Sequence, residues 1–397
     1  MIENALPLYR DPSNPGAAVI PRTEWDTGPY NRWTFQNVSD LVPTTKVWRG
    51  PGPASSLPEA PEDIGEIRFT HDGAERTISE FLDTTFTDGF LVMHRGKVIS
   101  ETYMNGMRPR TLHLSQSVGK SVVGAVAGIL IHRGLIDPMA PLTQYLPELE
   151  KTGYRGATVQ HVLDMTSGTI FDETYTAADS HVAKLDAACG WKERKSGDWP
   201  ETVWQLILEL TEAERQHGQA FQYRSIETDV LAFVLQRASG RMLADLVSEE
   251  LWAPLGAQED ASFTVDPAGY SLACGGFNAT LRDYGRFAQM VTNSGEFNGR
   301  QVVPGEWLKR TRESGNHAVF GADYKIVLPN GAYHNQFWIE DVARPALMSR
   351  GVFGQLLYMD HTAEFSAVKL STWPDYLNPR RTKLTLAAIH AIRDALG

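Results

Sequence analysis

The chain reads as a mixed α/β (α+β) fold, an antiparallel sheet flanked by helices with a mainly helical region inserted between its two halves. Three observations predict it. A strand–turn–strand pattern centres on Arg95-Gly96, and a second centres on Asp360-His361-Thr362 near the far end. Between them, from about residue 116 to 262, apolar residues recur at close to helical spacing. This implies a sheet unit of residues 1–115 with 263–397 and a helical unit of 116–262, with any chemistry at their interface.

The first 70 or so residues are rich in Pro, Gly and turn formers, as in Asp11-Pro12-Ser13-Asn14-Pro15-Gly16, and carry Trp25, Trp33 and Trp48. They read as an irregular wrap pinned by aromatics. Ile78 to Phe86 predicts a short helix. Phe90-Leu91-Val92-Met93 and Lys97 to Tyr103 predict a hairpin. Ser121 to Ile131 is apolar nearly all round, so that helix is expected to be buried, with Gly134 as its C-terminal stop. Val159–Asp164, Glu201–Leu210, Glu227–Arg237, Met242–Trp252 and Leu281–Val291 follow the helical period, the last with Thr280 as N-cap. Phe353–Met359 and Phe365–Thr372 read as strands, and Arg381–Leu396 as an amphipathic C-terminal helix.

With 397 residues and a formal net charge of -11, the chain has room for two packed units and no basic concentration to hold nucleic acid or an anionic membrane. Its two cysteines, Cys189 and Cys274, suit a reducing compartment better than a disulfide framework. Met1 to Pro7 has no basic segment followed by an apolar run, so a cytoplasmic location is expected. No His-Glu-x-x-His and no Cys/His cluster is present, and no metal or cofactor is expected.

Chemistry centres on Ser117-Val118-Gly119-Lys120. Residues three apart share a helix face, so hydroxyl and amine can touch, and an adjacent base activates a serine. A chain of this length holds about one such spacing by chance. The second copy, Ser366-Ala367-Val368-Lys369, lies in a strand, where residues three apart point to opposite faces. Gly119-Lys120-Ser121 is not the tail of a phosphate loop, because Leu114 stands where that motif needs glycine. No Gly-x-Ser-x-Gly elbow is present. Tyr223, just ahead of a helix, is a candidate second proton carrier.

Together these residues resemble the penicillin-recognising serine hydrolases, the superfamily of class C β-lactamases and DD-peptidases. The resemblance is greatest to the 6-aminohexanoate-dimer (nylon oligomer) hydrolases and related carboxylesterases. It runs through Tyr30-Asn31-Arg32-Trp33, Ile136-Asp137-Pro138, Tyr145-Leu146-Pro147-Glu148-Leu149, Val162-Leu163-Asp164-Met165, Thr228-Asp229-Val230-Leu231-Ala232 and Leu370-Ser371-Thr372-Trp373-Pro374-Asp375.

The resemblance implies a β-lactamase/DD-peptidase-like fold and a serine hydrolase that cleaves linear amides through an acyl-serine. Ser117 would be the nucleophile, Lys120 its base and Tyr223 the proton shuttle. The backbone N–H groups of Ser117 and Val352 would form the oxyanion hole. Ser225 stands where β-lactamases carry asparagine, and Ser349-Arg350-Gly351 where they carry Lys-Thr-Gly, which weakens recognition of a β-lactam carboxylate. Arg350 is not expected to replace that lysine, since adjacent strand residues alternate faces. Tyr175 and Asp186 would contact the substrate amide and its amine end, and Cys274 replaces a polar group at the substrate. Relatives of this kind also imply a homodimer. As base, Lys120 needs a depressed pKa. The alternatives are a short-acyl carboxylesterase and a non-catalytic penicillin-binding-like relative.

Overall fold

The computed structural model describes residues 20–397. Met1–Pro7 and the turn-rich run at 11–16 lie outside the described residues.

The two expected hairpins are four adjacent strands at one side of a seven-stranded sheet. Its strands are β1 (Thr87–His94), β2 (Lys97–Tyr103), β3 (Ala332–His334), β4 (Phe337–Ile339), β5 (Leu347–Gly351), β6 (Gln355–Asp360) and β7 (Phe365–Ser371). In space they run β3-β4-β5-β6-β7-β1-β2, every neighbour antiparallel. The two ends of the chain meet where β7 pairs β1, with Phe365 opposite His94 and Lys369 opposite Phe90.

Four helices matter to the site: α1 (Gly119–His132), α2 (Ile226–Ser239), α3 (Leu281–Thr292) and α4 (Pro379–Leu396). Strand alternation sorts the sheet's two faces. Phe90 and Val92 pack in one core with Ile389 and Ile392 of α4. Leu91 and Met93 pack in the other with Phe287 and Met290 of α3. Gly285 lets α3 settle onto the sheet, since a Cβ there would sit 2.2 Å from Leu91 Cδ2. Helix α1 is buried from Gly119 to Leu130, as its all-round apolar sequence predicts. Gly134 follows at φ +71°, the left-handed conformation expected of a helix stop.

A second, four-stranded antiparallel sheet differs from the sequence reading. It orders Thr44–Val47, Ala261–Thr264, Phe277–Ala279 and His113–Leu114. Pieces of two to four residues are too short to show period-2 alternation. The N-terminal wrap is therefore only partly irregular. Trp25 does pin it, meeting Trp191 edge-on at 5.2 Å, whereas Trp48 stays 52% exposed. This sheet delivers the turn before α1, because Ser115 donates its N–H to Phe277 O at 3.0 Å. Among the described residues no helix is long and apolar enough to cross a membrane.

Candidate active site

Ser117 sits in a tight turn, Gln116–Val118, that runs directly into α1. Gln116 takes φ +52°, a costly conformation for a side-chain-bearing residue, held by the packed turn. Lys120 lies in the first turn of α1 and is 1% exposed. Its Nζ donates to Ser117 Oγ at 2.9 Å, to Ser225 Oγ at 3.2 Å and to Cys274 O at 2.5 Å. An ammonium has three donors, and all three are used. By contrast, Lys369 donates to Thr85 O at 3.2 Å and not to Ser366, as strand geometry requires.

The start of α2 supplies two of these contacts. Ser225 stands immediately before it, and Asp229 within it accepts the Ala273 N–H at 2.8 Å and the Cys274 N–H at 3.4 Å. That clamp turns the Cys274 carbonyl toward Lys120. Burial pushes the Asp229 carboxyl up to about 6. On the far side of Ser225, Glu173 accepts from its hydroxyl at 2.5 Å and from Tyr175 OH at 2.8 Å.

Tyr223 lies on the loop ahead of α2, its backbone N–H held by Tyr324 OH at 2.9 Å. Its ring stacks on Trp338 at 5.4 Å, and Lys120 Nζ lies 5.1 Å from the ring centroid. Burial pushes the Tyr223 hydroxyl up, and Lys120 and Ser117 only partly offset this. The depressed lysine expected from the sequence is not found. Burial pushes Lys120 down, but Tyr223, Cys274 and Glu173 push it up, and the net direction is up. Three acceptors replace the water that burial removes, so the charged form is retained.

Val352 follows the end of β5. A Cβ on Gly351 would lie 2.4 Å from Ser115 O, so only glycine lets β5 approach the serine turn this closely. Ser117 and Val352 both line a cavity of about 360 Å³. Neither residue's N–H donates to a turn or loop acceptor among the described residues. Tyr175 and Tyr223 also line the cavity, and the Tyr175 ring stacks on Tyr376 at 5.3 Å.

Two expected substrate contacts lie elsewhere. Asp186 is not at the cavity wall; its carboxylate pairs with Lys192 at 3.1 Å, and Lys192 also reaches Asp26 at 3.3 Å. The Cys274 side chain is buried at 4% exposure and gives the site its carbonyl instead.

Residues 74–392 match the beta-lactamase family model. The chain belongs to that family. As a member of the beta-lactamase family it is a serine hydrolase. It is 35% identical to the 6-aminohexanoate-dimer hydrolase of Paenarthrobacter ureafaciens, over 91% of each chain. It is 30% identical to esterase EstB of Burkholderia gladioli over 42% of each. A solved Bacillus anthracis structure named for 6-aminohexanoate-dimer hydrolysis superposes with a TM-score of 0.86 at 26% identity, covering 95% of this chain and 97% of that one. The family resemblance and mixed α/β fold read from the sequence are borne out.

Sequence reasoning missed Glu173, Trp338 and Tyr376 in this beta-lactamase family site. Glu173 is one acid in the loop Phe171-Asp172-Glu173-Thr174, with nothing in its spacing to mark it. Trp338 and Tyr376 stand in short or irregular segments far from the motif.

Proposed function

We propose that this protein hydrolyses linear amides of the 6-aminohexanoate-oligomer kind. Ser117 Oγ attacks the carbonyl carbon and loses its proton to Lys120 in its neutral form. Tyr223 relays that proton to the leaving nitrogen as the C–N bond breaks. The Ser117 and Val352 N–H groups hold the developing oxyanion, each worth roughly 3 kcal/mol in such sites. Water then adds to the acyl-serine, the acid leaves and Ser117 regains its proton. Tyr175 borders the acyl path. The sheet unit (1–115 with 263–397) and the helical unit (116–262) would meet at this cleft. A cytosolic setting goes with the two free, buried cysteines.

The observation that carries the reading is the 2.9 Å contact of Lys120 Nζ with Ser117 Oγ inside a buried site. It is tested with a linear aminohexanoate amide and a p-nitrophenyl ester on the unaltered protein and Ser117→Ala. Loss of both activities, and an acyl adduct by mass spectrometry in the unaltered protein alone, are expected. Equal turnover by the two proteins removes Ser117 as nucleophile.

One observation favours a second reading, ester hydrolysis with little amidase activity. Asp186, expected at the substrate's amine end, is neutralised by Lys192. A short-acyl ester has no amine end that needs such a partner. Relative kcat/KM on matched amide and ester substrates separates the two.

A further inference from the structure

Among the described residues, one cation without a partner lines the cavity beside Ser117. Arg350 stands in β5 directly opposite Leu356 of β6, and directly opposed residues share a sheet face. Both side chains line the cavity. The preceding residue, Ser349, is opposite Leu357 and faces the core. Alternation therefore aims Arg350, not Ser349, at the substrate space. The guanidinium lies over the Trp338 ring at 4.9 Å, and Trp338 in turn stacks on Tyr223. Guanidinium, indole and phenol thus form a layered wall that ends at the proposed proton shuttle.

Among the described residues Arg350 makes no ion pair and donates no hydrogen bond. Burial pushes it down to about 10. The cavity's two carboxylates do not neutralise it. Glu173 is engaged by Ser225 and Tyr175. Asp323 lies on the exposed short helix Ala322–Lys325 and forms no ion pair with it. The side chain is half-buried in the cavity wall, and a partly desolvated, unpaired cation gains from a ligand that supplies the missing anion. The guanidinium fork matches a carboxylate bidentately. The aromatic wall and the cavity's size suit an organic chain rather than an inorganic anion.

We propose that Arg350 is a carboxylate-binding subsite, and that the preferred substrate is an amide or ester bearing a free carboxylate that reaches Arg350 when its carbonyl sits at Ser117. This rests on the reading of Ser117 as nucleophile and adds the charge of the substrate. Arg350 acts in binding and specificity, with no proton or bond passing through it.

The test uses the p-nitrophenyl monoester of glutarate and its methyl-capped, neutral counterpart on the full chain. The unaltered protein is expected to favour the anionic ester. In Arg350→Gln the ratio of the two kcat/KM values falls about 10- to 100-fold, the range for a charge-assisted hydrogen bond. Arg350→Lys, which keeps the charge and loses the fork, falls between. A ratio unchanged in Arg350→Gln overturns the subsite. A second measurement needs no variant: glutarate inhibits the unaltered protein at lower concentration than glutaramide, and equal inhibition overturns the proposal. Ser117→Ala separates the two readings. If it is inactive while the ratio stays put in Arg350→Gln, only the subsite fails. If it remains active, the underlying hydrolase site fails with it.

Discussion

Glu173 accepts two hydrogen bonds from Ser225, one from its backbone N–H at 2.9 Å and one from its hydroxyl at 2.5 Å. The same hydroxyl accepts from Lys120, so a single side chain links carboxylate and ammonium. The carboxylate helps to hold Lys120 charged, and the hydroxyl holds it aimed at Ser117.

Ser225→Ala removes one of the three acceptors of Lys120 and one of the donors to Glu173. A fall of about 10- to 100-fold in kcat/KM is expected, the range for hydrogen bonds to charged groups. Steady-state kinetics on a neutral ester reads it, and full activity would remove Ser225 from the site. Glu173→Gln takes away a negative charge that raises Lys120, so the alkaline rise of the pH–rate profile moves to lower pH. Movement to higher pH would contradict this.

With Lys120 held above its ordinary value, the neutral amine is a minor form at neutral pH. The kcat/KM for a neutral ester therefore climbs as pH rises from about 6 to 9, tracking the deprotonated fraction. A flat profile would rule out Lys120 as the base. The same shift stabilises the fold. Its contribution is complete below the unfolded lysine value of about 10.4 and is lost as pH rises through the higher folded value. Denaturation of Lys120→Met beside the unaltered protein at increasing alkaline pH reads it.

Lys369 behaves oppositely. Burial pushes it down to about 7, and among the described residues its only hydrogen bonds go to Thr85 O and Ser371. Between about pH 7 and the unfolded value near 10.4, the unfolded chain binds the proton and the folded one does not. Stability relative to Lys369→Met thus rises with pH across that window. Urea midpoints at pH 7 and near 9.5 measure it, and a midpoint of the unaltered protein that falls relative to that of Lys369→Met over this interval is the contrary result.

Gly351→Ala places a methyl 2.4 Å from the Ser115 carbonyl oxygen and 3.0 Å from the Cβ atoms of Gln116 and Gln355. β5 must retreat, carrying Val352 from the serine turn. Misplacement on the scale of 1 Å costs about 10²-fold, so kcat/KM falls by about that factor. Circular dichroism confirms that the fold persists. Unchanged kinetics would separate β5 from the oxyanion role.

The central sheet and its helices were legible because their periods run long enough to show: eight residues in β1, fourteen in α1. The three-residue strands Ala332–His334 and Phe337–Ile339 were not, since alternation over three positions carries no signal. At the site, Ser117 and Lys120 were legible from spacing within one helical turn. Glu173 was not, because what brings it to Ser225 is a loop path from 52 residues away. Asp186 misled for the same kind of reason: Lys192, only six residues on, turns back to claim its charge.

The pairing of β7 with β1 joins the first hairpin of the main sheet to the last strand among the described residues. During synthesis α1, with its serine and lysine, is made long before β5, β6 and β7. The sheet has no closed centre until those strands arrive, and contacts of such long sequence separation form slowly. A nascent or C-terminally truncated chain thus carries the reactive pair without the wall that Gly351 and Val352 provide. Activity should appear only after the whole chain is made, which couples the enzyme's competence to its completeness.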